Sequence, residues 1–167
     1  MGTTFKELCE DWVMVVINDY KLDKLYVVNE NALLDYLRGF ILTGLTDFDC
    51  LTPLTYSSHE VITTTTDENN QTITTTTIEY EFDYDLSDDE KKIISEIAVA
   101  KYFKRFIHDV KARAPYINQR EFKKDALAPI MKENDNWYKQ LVSEYEADIA
   151  NYYIKNIDKL DYWSDLS

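Results

Sequence analysis

The side chains that could do chemistry are few and stand apart from one another. Cys9 and Cys50 form no CxxC pair and have no neighbouring histidine, so the sequence encodes neither a disulfide framework nor a zinc site. Both are expected to be buried free thiols. His59 falls at the start of a predicted strand and His108 on a basic helix face, and neither has a sequence partner that would make it a general base. Asp83, Asp85, Asp88, Asp89 and Glu90 gather like a calcium loop. That loop needs a central glycine, where Asp88 stands, and a closing glutamate, where Ile94 stands. Helix capping accounts for this cluster better. With no nucleophile motif and no glycine-rich phosphate loop, no catalytic, cofactor or metal residue is expected, and the chain reads as non-enzymatic.

Other residues have the chemistry of contact surfaces. Lys101, Lys104, Arg105, Lys111, Arg113 and Arg120, with Lys123 and Lys124, face only Asp109 and Glu121 between residues 101 and 124, inside a chain of net charge -13. Such a one-sign patch is either a solvated face or a docking surface. Thr64, Thr66, Thr74 and Thr76 belong to two threonine-rich runs that have no apolar side to bury. Tyr162 and Trp163 place large aromatics in a polar terminal segment, which suits insertion into a neighbouring subunit or leaves them fraying in solvent. Thirteen tyrosines, among them Tyr145, Tyr152 and Tyr153, add side chains that combine wide contact area with a hydrogen-bonding tip, and half-buried helical packing accounts for them equally well.

The elements that must carry these residues are mostly helical. Thr4 with Glu7 makes a capping box, and Leu8, Trp12, Val15, Val16 and Tyr20 follow at helical spacing, predicting a helix over about 5–20. A second helix begins near Asn29 or Asn31, aligns Leu33, Leu34, Leu37, Phe40 and Ile41, and stops at Gly44 as a C-terminal cap. Residues 45–56 read as an ordered, partly buried connection. Val61–Thr66 and Thr72–Tyr84, with DENNQ between them, predict a long β-hairpin whose base is anchored by Ile78, Tyr80, Phe82 and Tyr84. Its distal half should project from the body and offer its strand edges to a partner.

Ser87 with Glu90 is a second capping box and starts the central helix. Ile93, Ile94, Ile97, Ala98, Val99 and Ala100 are apolar around most of its circumference, then Phe103, Phe106, Ile107 and Val110 narrow to a stripe, and Pro115 marks the end. The last helical segment meets Pro129, predicting either a short helix over 120–126 and a restart, or a kink. The expected fold class is mainly α: a bundle of about four helices with a long inserted β-hairpin. One domain should span 1–167, with the hairpin over about 58–84 and a tail over about 156–167.

Net charge of -13 argues against broad nucleic-acid binding, because phosphate neutralisation needs clustered lysine and arginine. No run of apolar residues is long enough to span a membrane, and the opening MGTTFKELCEDW has no signal-peptide pattern, so a chain kept in reducing, cytoplasm-like conditions is expected.

The order of two short helices, an inserted hairpin, LSDDEKKIISEIAVAKYFKRFI, a turn, REFKKDA and a long terminal helix resembles the neck or head-tail connector proteins of tailed bacteriophages. The likeness is strongest from Leu86 to about Tyr153, and weaker from Trp12 to Tyr56, where INDYKLDKLY and DYLRGFILTGLTDF look like the opening helices of that family. What it implies is structural. Copies would form a homo-oligomeric ring on the portal protein, extend a channel through which DNA passes without sequence-specific binding, and offer a platform to a downstream tail or neck protein. The location would be the head-tail junction of the virion, after synthesis in the host cytoplasm. In that setting the basic stretch would meet acidic surface on a neighbour or the portal, the hairpin an adjacent subunit or the tail, and the C-terminal tail a further protein. A second reading stays open: a small acidic adaptor or inhibitor that binds a host protein, its surface imitating nucleic acid.

Overall fold

The computed structural model describes residues 2–17, 20–66, 72–113 and 124–159. Helices α1 (Phe5–Glu7) and α2 (Met14–Ile17) flank a π-helical segment, Leu8–Val13, and are followed by α3 (Tyr20–Val28) and α4 (Glu30–Gly44). Strands β1 (Tyr56–Thr66) and β2 (Thr72–Phe82) form one antiparallel hairpin, and the long helices α5 (Asp88–Arg113) and α6 (Lys124–Lys155) complete the chain. The fold is mainly helical with one inserted hairpin, the class the sequence predicts.

Three of the predicted helix starts are built as their residues dictate. Glu7 N donates to Thr4 Oγ1 at 3.1 Å, and Ala32 N donates to Asn29 Oδ1 at 3.0 Å. At α5 the box is reciprocal: Ser87 N and Ser87 Oγ both donate to Glu90 Oε2 at 2.8 Å, and Glu90 N reaches Ser87 Oγ at 3.4 Å. The five acidic residues near position 88 thus serve a helix start in part.

Helix α5 is the core of the molecule, packed against α4, α6 and the π-helical segment. Ile93, Ile94, Ile97, Ala98 and Val99 are fully buried, against Leu33, Leu37 and Ile41 of α4 and Leu8 and Val13 of the N-terminal segment. Each aliphatic side chain so buried contributes about 1.5–3 kcal/mol of transfer free energy.

Several expectations are corrected. The first helix is interrupted: the π-helical segment inserts extra residues per turn and rotates the apolar face, so Cys9, Val13 and Ile17 are buried while Val15 is 68% exposed and Val16 is also exposed. Residues 20–28, left out of the predicted helices apart from Tyr20, are helical. Gly44 is not a left-handed cap, because its φ of -76° is right-handed and the chain runs on into a 3-10 turn, Leu45–Asp47. It is needed for close approach instead: a Cβ there would lie 2.8 Å from Ile97 Cγ2. Strand β1 begins at Tyr56, before Val61, and Ile78, expected to anchor the hairpin, is 56% exposed. Phe106 is exposed on α5, and Tyr102, not in the predicted stripe, is buried in its place. Helix α6 runs unbroken through Pro129, which excludes the restart of the two readings given for that proline. The turn 67–71, Pro115, residues 120–123 and the tail beyond Lys159 lie outside the described residues, as do Tyr162 and Trp163.

Candidate functional site

Among the described residues the aromatic contacts that hold the hairpin to the body lie at its base. Eleven residue pairs run from Tyr56↔Phe82 to Thr66↔Thr72. Phe5 stacks on Phe82 with ring centroids 4.7 Å apart and meets Tyr80 and Tyr56 edge-on, at 5.9 and 5.4 Å. Beyond Tyr80 the strands leave the core, and Ile62, Thr64, Thr74, Thr76 and Ile78 are exposed. The side chain of Thr66 lies outside the described residues.

The outer edge of β2 is closed at one end by residues 2–4. Phe82 N donates to Thr3 O at 2.9 Å, Thr3 N donates to Tyr84 O at 3.3 Å, and Thr4 bridges Glu81. Thr3 is fully buried, and its hydroxyl accepts from Leu86 N at 2.9 Å and donates to Asp85 Oδ1 at 2.8 Å. That bond, with the Lys91 ammonium nearby, holds the Asp85 carboxyl below the usual carboxylate range. Gly2 is required here: a Cβ would fall 1.8 Å from Phe82 O, while Gly2 N donates to Glu81 Oε1 at 2.6 Å. At Phe5 the chain turns into α1, and the β2 edge continues without that cover.

A groove of about 340 Å³ follows this edge. Thr76 to Tyr80 line it consecutively, so both parities of the strand contribute and the edge itself bounds the space. The opposite wall is α4, and Phe5, Lys6 and Cys9 complete the lining. Lys6 is bound to Glu30, Arg38 pairs with Asp35 at 2.8 Å, and the Arg38 guanidinium lies 4.1 Å from the Tyr80 ring centre.

The basic stretch is divided. Lys101 is half-buried and paired with Asp47, while Arg105 lies over the Tyr36 ring at 5.4 Å and reaches Asp109 at 3.9 Å. Lys104 is exposed on the same helix and lines a shallow groove with Ile107 and His108. The side chains of Lys111 and Arg113 and all of Arg120 lie outside the described residues. The structure therefore brings Lys101, Lys104 and Arg105 to one helix, far along the chain from the exposed threonines.

Of the two readings of the terminal-helix tyrosines, contact surface or half-buried helix packing, the structure shows packing within the molecule. Tyr152 is buried, donates from its hydroxyl to Glu90 Oε1 at 2.7 Å and accepts from Leu51 N at 3.3 Å. Burial, and then the Glu90 carboxylate, push its phenol pKa up. Tyr153 donates to Asp49 O at 2.9 Å, and Tyr145 is packed against the core. Cys9 is buried and Cys50 half-buried, and burial pushes the Cys9 thiol up to about 12 and the Cys50 thiol up as well. His59 lies inside β1, its Nε2 3.9 Å from Glu79 Oε2, and His108 is exposed.

Sequence reasoning missed the edge segment 2–4, the Arg38 stack on Tyr80 and the groove. Alternation of Phe82 and Tyr80 with the neighbouring polar residues marked the inner hairpin face, but no local pattern announces that Thr3 pairs with a residue so far along the chain. Among the described residues no group of three or more His, Cys, Asp or Glu side chains could hold a metal ion, and no helix is long and apolar enough to cross a membrane. No family model matches the chain, and no curated protein or solved structure matches it.

Proposed function

We propose that this chain is a structural virion protein of a tailed phage, a non-enzymatic ring adaptor between portal and tail. The observation that carries the reading is the hairpin: eleven paired residues long, seated through Phe82 and Tyr80 at one end, with exposed threonines along its distal half. An isolated two-stranded ribbon with open edges is marginal in water and gains stability from a neighbour. Assembly supplies that neighbour. The order of helices and hairpin resembles the connector family, which supports this kind of assembly. A non-catalytic role is supported by the thiols, since burial keeps both protonated and poorly nucleophilic.

Electron microscopy of the particle that carries this protein tests the proposal. Density for the chain as a symmetric ring at the portal vertex is the expected result. Absence from the particle overturns it and favours the acidic adaptor that binds a host protein.

A further inference from the structure

The edge of β2 that faces the groove is chemically unfinished. Backbone groups alternate in direction along a strand, and Phe82 N points outward to Thr3. Ile78 and Thr76 share the parity of Phe82, so their N–H and C=O groups also point away from β1, and they have no backbone partner among the described residues. The same edge already carries an isolated antiparallel bridge, Thr4↔Glu81. The groove lined by Thr76 to Tyr80 adjoins that bridge, since Thr4 and Phe5 belong to its lining too.

Its electrostatics select an occupant. Glu30, Asp35 and Glu79 face Lys6 and Arg38, and both cations are already committed, to Glu30 and to Asp35 with Tyr80. Among the described residues Glu79 has the His59 imidazole alone as a charged partner, 3.9 Å away. A strand carrying lysine or arginine complements this lining. Neither β1 nor β2 contains a lysine or arginine, so the hairpin of a second copy does not.

We propose that the groove along the outer edge of β2 accepts a single extended basic segment of a partner protein as an added strand. Main-chain bonds to Ile78 and Thr76 supply affinity, and Glu79, the groove carboxylate that no lysine or arginine among the described residues pairs with, supplies the preference for basic side chains. No part of this requires copies of the chain to meet, so it stands apart from the ring reading.

The test uses the full chain and two end-capped peptides of about six residues, one strand's length: one alternating lysine and valine, the other glutamate and valine. Amide hydrogen exchange is followed at Thr76 and Ile78. The lysine peptide is expected to slow both amides about tenfold or more, to bind at least about tenfold more tightly than the glutamate peptide, and to weaken as salt is raised. Ile78→Pro removes one outward N–H that β1 does not use, and should abolish binding. Unchanged exchange at these amides, or equal binding of the two peptides, overturns the proposal. So does protection of the same amides in the chain alone as concentration rises, which would assign the edge to a second copy.

Discussion

At the residue scale the groups with the most perturbed environments are structural ones. Glu96 on α5 lies beside Lys92 and Asp148 of α6; Lys92 binds Asp148 at 2.7 Å and reaches Glu96 at only 3.6 Å. Glu96 Oε2 is buried and unpartnered among the described residues, and burial raises this carboxyl from 4.5 to about 7. The neutral acid is therefore the form the fold prefers. Its contribution to stability is fully present below pH 4.5 and is lost as pH rises through about 7. Glu96→Gln should remove that loss: urea unfolding at about pH 5 and about pH 8 should show the variant gaining on the parent at the higher pH. Asp148, held low first by Lys92 and also by Glu96, works in the opposite sense, and the neutral amide of the variant can still donate to it.

Helices and strands show best where local chemistry was decisive and where it was not. Gly44→Ala adds a Cβ 2.8 Å from Ile97 Cγ2, where α4 packs on α5. Overpacking of about 1–3 kcal/mol should outweigh the gain in helix propensity of about 1 kcal/mol, a net loss measurable by thermal unfolding. The glycine was visible in the sequence; its reason was not, because a helix end and a helix crossing both call for glycine. Capping boxes at Thr4 and Ser87 were legible because each is a contract between residues three apart. The π-helical segment was illegible for the opposite reason. Its residues have ordinary helical propensities, and only packing of Leu8, Cys9 and Val13 against α5 reveals the rotated face. Likewise the buried bond between Tyr152 and Glu90 joins residues 62 positions apart, which no local pattern encodes.

At the scale of the whole molecule the hairpin and the body divide stability from contact. Replacing residues 61–77 by a short turn removes exposed threonines and leaves Phe5, Tyr80 and Phe82 in place, so the thermal midpoint should change little. Incorporation into the particle should be lost, which quantifying the protein in purified particles would reveal. A variant that is incorporated normally would leave the hairpin without the role proposed for it. The strap formed by residues 2–4 carries a different consequence, one of time. Thr3 meets Leu86 across 83 positions of sequence, so the bonds that seat the hairpin cannot close until more than half of the chain has left the ribosome. Until then Phe5 lacks Phe82. Loop closure over that distance is entropically slow, and it places seating of the hairpin late in folding, after local helices have had ample opportunity to form.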